Sequence, residues 1–206
     1  MTLNRTLAIL GFGGHAKVIK EIASLNGYNK YIFFDDYKKN KIIIGNSKDL
    51  LKNKKKIDNL FIAIGDNNLR KEKFIELKKY FNIVTLIHPK SIISLNNVVI
   101  GKGSVVMAGA IINPSVKIGS CCIINTGAIV DHETVVKDYV HISPGVKIGG
   151  QVQIGTSSWL GIGSTVINNI KIKNNVLLGA NSLLTKNAHK NSKYIGNPAK
   201  KKDEYN

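Results

Sequence analysis

From Ile100 the chain places an aliphatic residue at every sixth position, through Val106, Ile112, Ile118, Ile124, Val130, Val136, Ile142, Ile148, Ile154, Leu160, Val166, Ile172 and Leu178 to Leu184, without a slip. Two places before each stands a small or β-branched residue, from Val98 and Ser104 to Val176 and Ser182. A helix repeats its apolar face at about 3.6 residues and a half-buried strand at about 2. A strict beat of six with two inward positions fits neither. It fits short strands joined by turns and wound into a solenoid, each hexapeptide forming one flat side.

This pattern resembles the hexapeptide-repeat β-helix, in which three sides close a coil. The resemblance implies a left-handed parallel β-helix, although periodicity itself carries no hand. Three sides of six put residues 18 apart one above another, with coils spaced roughly 4.8 Å apart. The run from Val98 then makes about five coils.

The remaining residues bound the rest of the architecture. At 206 residues and 43% hydrophobic content the chain can build one large domain or two small ones. Leu7–Leu10 reads as a buried strand, Gly11-Phe12-Gly13-Gly14-His15 as a tight turn, and 16–24 as a helix ending near Gly27. A second strand at 31–34 runs into Asp35-Asp36, and a third at 61–65 precedes a helix over 69–80. Glycines that let backbone approach a diphosphate at a helix N-terminus, with an acidic pair after the second strand, suit a nucleotide-binding βαβ unit. The unit is too small for the two-nucleotide fold of a dinucleotide-dependent oxidoreductase. The expected organisation is a Rossmann-like domain over 1–84, a β-helix over 85–190 with its beat from Val98, and a tail over 191–206. The lysine-rich run 52–56 reads as a solvated loop.

The formal charge is +17, yet Arg5 and Arg70 are the only arginines. Nucleic-acid readers favour arginine forks and interleaved aromatics. A lysine-coated enzyme for acidic substrates, with no nucleic-acid partner, is the expectation. Cys121 and Cys122 are adjacent, the beat pointing the second inward and the first outward, so neither a disulfide framework nor a metal set is expected, and a reducing compartment is. His88, His132, His141 and His189 are too scattered for a three-histidine metal site. The apolar run 7–10 is too short for a signal peptide, and no stretch approaches the ~18 apolar residues of a membrane span. Cytoplasm follows as the expected location.

Outward positions of a coil are normally polar filler, which makes His132-Glu133 informative. A carboxylate can hold the neighbouring imidazole in one tautomer and strengthen it as a base. Gly150, 18 residues after His132, lies over it, and a bare glycine N–H about 5 Å from a base is what acyl transfer requires. The same count stacks Gly161 under Gly179 and Ile162 under Ala180, a smooth strip suited to a pantetheine arm.

Gly11-Phe12-Gly13-Gly14-His15, Asp35-Asp36, the run 61–67, Asn125-Thr126, Asp131-His132-Glu133, His141 and Gly196-Asn197-Pro198-Ala199-Lys200 together resemble the trimeric nucleotide-sugar and sialic acid acetyltransferases. The likeness spans nearly the whole chain and is nearest to the UDP-4-amino-sugar N-acetyltransferases of the bacillosamine pathway. It implies acetyl-CoA as donor without a metal, His132 as general base oriented by Glu133, and Asn125 near the acceptor amine. It further implies the Gly150 amide on the acetyl carbonyl, His141, Gly161, Ile162, Gly179 and Ala180 along the cofactor, and Gly13, Gly14, His15, Asp35, Asp36 and Gly65 around the nucleotide. The implied acceptor is a UDP-linked 4-amino-4,6-dideoxy sugar; O-acetylation of sialic acid and N-acetylation of a GDP-linked perosamine-type sugar remain open. His132 and His141 stand half a coil apart, so a base on one side and a cofactor strip on another meet only between chains, and a homotrimer with intersubunit sites is expected.

Overall fold

The structure is a computed structural model that describes residues 5–205. Residues 1–4, at the head of the expected nucleotide-binding segment, and residue 206, at the end of the tail, lie outside the described residues. The chain divides into two compact units after Pro89.

In the first unit the described residues form one parallel sheet of β1 (Thr6–Leu10), β2 (Lys30–Phe34), β3 (Ile43–Gly45), β4 (Asn59–Ile62) and β5 (Asn82–Ile83), in the order β3-β2-β1-β4-β5. The central strand β1 carries Leu7 to Leu10 at 1% exposure or less, as a strand covered on both faces must. Helices α1 (Gly14–Leu25), α2 (Ser47–Lys52) and α3 (Asn67–Leu77) complete the unit. Strand order reverses between β1 and β4, and in open parallel sheets the crevice at such a switch point is where ligands bind. Gly11, at φ +110°, closes the end of β1; a Cβ there would meet the Ala63 carbonyl oxygen at 2.6 Å, so this close approach requires glycine.

The sequence reading finds β1, α1, β2, β4 and α3 but not β3, α2 or the two-residue β5. Helix α2 is announced by a capping box: the Asn46 side chain accepts from the N–H groups of Lys48 and Asp49 at 2.9 and 3.1 Å, and Asp49 accepts from Asn46 N at 3.2 Å. The lysine-rich run is solvated as expected, but Lys52 closes α2 and Lys54–Lys56 form a 3-10 turn.

The second unit is a parallel β-helix. Ile111 pairs with Ile129, Val135 with Gln153, and His141 with Trp159, each 18 residues on. Three ladders result: a first face through Ile129 and Lys147, a second through Val135 and Gln153, and a third through Ile123, His141 and Trp159. The aliphatic beat and its small companions fill the interior. Thr134, a polar companion, uses its hydroxyl on turn backbone: Oγ1 accepts from Val152 N at 3.2 Å and donates to the Gly149 carbonyl at 3.0 Å.

A second six-residue beat lies in the turns. Asn97, Gly103, Gly109, Ser115, Cys121, Gly127, Glu133, Tyr139, Gly145, Gln151, Ser157, Gly163, Asn169, Asn175 and Asn181 all have φ between 54° and 75°. One left-handed residue per side turns each corner, which is why glycine and asparagine recur there. Cys121 is one of these corner residues and, contrary to the outward placement read from the beat, is fully buried. No disulfide joins it to Cys122.

The coil also outruns its beat. Ile92-Ile93 pair with Ile111-Ile112 at a spacing of 19, one residue out of step, and add a rung before Val98. Beyond Leu184, Ser192–Gly196 lie parallel on Val176–Leu178, and Ala199–Glu204 fold back antiparallel on them. The first face carries six rungs, and the hairpin covers a coil end that would otherwise expose unpaired backbone.

Candidate active site

Except where it is proline, as at Pro114 and Pro144, the residue before each left-handed position has no ladder partner for its N–H. Side-chain oxygens take that group at Ser120 (Asp138 Oδ1, 2.7 Å), Thr126 (Asn125 Oδ1, 2.9 Å), His132 (Asp131 Oδ1, 2.8 Å) and Thr156 (Asn174 Oδ1, 3.1 Å). The Gly150 N–H, like those of Lys102, Ala108 and Ile162, makes no hydrogen bond among the described residues, and the nearby Asn168 Oδ1, which lies against Gly149, does not take it. Gly150 sits one coil beyond His132: a Cβ on it would lie 2.5 Å from the imidazole Cε1 and Nε2, so the ring rests against the glycine.

His132 Nδ1 is 3.3 Å from Glu133 Oε2, and the same oxygen accepts from Gln151 Nε2 at 2.9 Å. The Gln151 bond first, then that of His132, holds the Glu133 carboxyl below its ordinary range. Asp131 Oδ1, which accepts from His132 N, also accepts from Asn113 Nδ2 at 2.6 Å, and these bonds lower its pKa likewise. The His132 and Glu133 side chains are half-exposed, so a ligand can reach them. Gln151 and Asn113 went unremarked in the sequence, although each is 18 residues from its partner and the stacking count that found Gly150 would have found both.

A second group lines the third face and the corner between the third and first faces. Asn125 Nδ2 lies 3.3 Å from His141 Nε2, and the His141 ring stacks on Trp159 with centroids 5.6 Å apart and planes 2° apart. Trp159 Nε1 donates to Ser143 Oγ at 2.9 Å. Beside them Gly161 lies against the Ala180 amide, where a Cβ would meet Ala180 N at 2.7 Å, and Asn181 N donates to the Ile162 carbonyl at 2.8 Å. Gly161 stacks with Gly179 and Ile162 with Ala180 as counted, and the Ile162 side chain is 60% exposed. His132, Glu133 and Gly150 occupy the corner between the first and second faces, across the coil from the His141 face. One chain does not bring the two groups together.

The third group lies in the α/β unit. Gly13 caps α1 with no side chain on the helix amides and no acidic residue in the first turn, and a Cβ at Gly13, Gly14 or Gly65 would meet nothing within 4 Å. Space above a bare helix N-terminus is an anion site in waiting. A cleft of about 210 Å³ opens beside it, lined by Gly11, Phe12, Gly13, Asp35, Asp36 and Ile64 among others. The acids themselves are engaged. Asp35 accepts from Phe12 N at 2.7 Å, Tyr37 N at 2.9 Å and Lys38 N at 2.7 Å, bracing the glycine turn. Asp36 accepts from Ser47 N at 2.7 Å and pairs with Lys73 at 3.1 Å. Burial would raise the Asp36 pKa, but the Ser47 bonds and Lys73 outweigh it and hold the carboxyl low. His15 is largely buried, its Nε2 without a hydrogen-bond partner among the described residues; burial and then Arg70 bring its pKa down to about 4.

Among the described residues no group of three or more His, Cys, Asp or Glu could hold a metal ion, and no helix is long and apolar enough to cross a membrane.

Comparison with known proteins bears on both units. A family model, the PglD N-terminal domain, matches residues 6–77. The UDP-N-acetylbacillosamine N-acetyltransferase of Bacillus subtilis is 36% identical over 114 residues, a match covering 50% of this chain and 52% of that protein. This chain thus spans about half the length of that curated relative in the match. Among solved structures, a mutant perosamine N-acetyltransferase from Caulobacter crescentus in complex with CoA and GDP-perosamine superposes with TM-score 0.93 at 32% identity, over 97% of either chain. The acetyltransferase domain of PglB from Neisseria gonorrhoeae, in complex with acetyl coenzyme A, superposes with TM-score 0.90 at 33% identity, covering 96% of this chain and 99% of that one.

Proposed function

Because this chain belongs to the hexapeptide-repeat nucleotide-sugar acetyltransferases, we propose that it transfers the acetyl group of acetyl-CoA to the amine of a UDP-linked 4-amino-4,6-dideoxy sugar. The observation that carries this reading is the His132–Glu133 pair against Gly150, an oriented base beside an open amide donor. With Nδ1 facing Glu133, Nε2 is left to take the proton the amine sheds as it becomes an amide. The Gly150 N–H donates to the acetyl oxygen as charge builds on it. Acetyl-CoA supplies an acetyl group on a thiol leaving group, so direct transfer needs no metal and no covalent enzyme intermediate.

The strip of Gly161, Ile162, Gly179 and Ala180 fits the pantetheine arm, since it is smooth, partly apolar and free of side chains at its glycines. Asn125 and His141 stand at its head. The glycine turn before α1 and the adjacent cleft suit the nucleotide diphosphate, with Gly13, Gly14, His15 and Gly65 around it. Asp35 and Asp36 act there by fixing the surrounding loops, a role their hydrogen bonds favour over direct contact. Since base and strip lie on different sides of the coil, three copies forming a closed ring, each lending its strip to a neighbour's base, complete the site. The donor is a cytoplasmic metabolite, and the reaction is assigned to the cytoplasm.

UDP is preferred on the Bacillus relative's substrate, and a GDP-linked sugar is the second reading on that of the Caulobacter structure. The test is CoA release and acetyl-product mass with UDP-4-amino-4,6-dideoxyglucose-type sugar, GDP-perosamine and sialic acid, each with acetyl-CoA. The expected result is rapid turnover with the UDP-amino sugar. Turnover confined to GDP-perosamine replaces the nucleotide, and turnover confined to sialic acid overturns N-acetylation.

A further inference from the structure

Beyond the His132–Glu133 pair, the corner carries a third residue that the reaction as proposed does not use. We infer that Gln151 is a positioning residue that holds the Glu133 carboxylate against His132 and thereby fixes the orientation of the base. The inference rests on the reading of His132 as general base.

Gln151 grips both members of the pair at once. Its backbone N–H donates to the His132 carbonyl at 2.9 Å, and its side-chain Nε2 donates at 2.9 Å to the Glu133 oxygen that faces His132 Nδ1. Glu133 is half-exposed and has no salt bridge to a lysine or arginine among the described residues. Without the amide, a flexible side chain of this kind would sample several rotamers, most of them turned from the imidazole. The separation of 3.3 Å already sits at the long end for a hydrogen bond, so a small drift would release the ring.

Local preference argues against these two residues unless they serve another end. The corner column to which they belong runs Asn97, Ser115, Glu133, Gln151, Asn169, with φ of 55°, 62°, 58°, 60° and 63°. Left-handed backbone favours asparagine and glycine, whose use elsewhere in the turns reflects it. Two successive long side chains at such positions, bonded to one another beside a base, mark a place where fold preference yields to function. The Gln151 bond is also the first cause of the lowered Glu133 pKa, in the direction that favours the carboxylate the pair uses.

The test uses Gln151→Asn in the whole enzyme. Asparagine keeps an amide and suits the left-handed turn, as at Asn97 and Asn169, but is one methylene too short to reach Glu133. The expected result is a kcat lowered roughly 10-fold, with the KM values for donor and acceptor unchanged and the melting temperature retained. In a Glu133→Gln background the same substitution should add nothing further, since the carboxylate it positions is already gone. Additive losses in the double variant, or a kcat loss that tracks a loss of stability, would show a structural residue and overturn the inference. Full activity of Gln151→Asn beside an impaired Glu133→Gln overturns it alone; full activity of Glu133→Gln removes the base-pair reading beneath it. Should asparagine disturb folding, Gln151→Gly, which the backbone at φ 60° accepts, carries the same comparison.

Discussion

His132 is held by its surroundings more than by its own packing: Gly150 on one side of the ring, Glu133 at Nδ1, and Asp131 on its backbone N–H. Its imidazole stays half in solvent, so removing it should cost chemistry and little stability. For His132→Ala, turnover should fall roughly 10²-fold or more with the melting temperature unchanged; near-native turnover at neutral pH would deny it the role of base. His15 makes the contrasting case, an imidazole held neutral inside the fold with its pKa near 4 against the ordinary 6.5. Between those values the unfolded chain binds a proton that the folded chain refuses. Its contribution to stability is therefore complete above about pH 6.5 and drains away as pH falls toward 4, by up to ~3 kcal/mol. A melting temperature that drops through this window in the wild type and flattens in His15→Gln is the expected outcome; equal slopes in both would show the histidine accessible to protons when folded.

Among the elements, the coil was the most legible in the sequence because every hexapeptide repeats the same local solution: an aliphatic inward residue, a small one before it, and a left-handed corner residue between sides. Stacking by 18 then located Gly150 over His132 and Gly179 over Gly161. The rung at Ile92 escaped because one extra residue shifts its spacing to 19, and β3 and α2 escaped because three and six residues are too few to display a period. The acid pair was legible as a motif but its partners were not, since bonds from Asp35 to Phe12 N and from Asp36 to Lys73 exist only once distant segments meet. The glycine turn before α1 separates two kinds of glycine. Gly11→Ala forces a Cβ to 2.6 Å from the Ala63 oxygen at a φ of +110° and should destabilise by roughly 2–4 kcal/mol. Gly13→Ala meets nothing of its own chain and should leave the melting temperature intact while raising the acceptor KM. A Gly13→Ala enzyme with unchanged acceptor KM and a raised KM for acetyl-CoA would move the nucleotide site away from this turn.

For the molecule as a whole, the β-helix divides the chemistry among its corners. His132 and Gly150, the proposed base and amide donor, occupy the corner between the first and second faces; Asn125, Ile162 and Ala180 occupy the corner between the third and first, beside His141 on the face across the coil. On the proposed reading a second copy supplies the missing half, and a closed threefold ring would do so three times over. The decisive measurement is complementation between two inactive variants. One is His132→Ala. The other blocks the strip at Ala180→Trp, a better position than Gly179, where an added side chain would crowd Ile195 at 3.1 Å. Refolded together in equal amounts, the two should regain roughly a quarter of wild-type acetyl transfer, because random assembly pairs a sound base with a sound neighbouring strip at about that frequency. Mixed assemblies, verified by mass, that regain no activity would place base and strip in one chain and contradict the account.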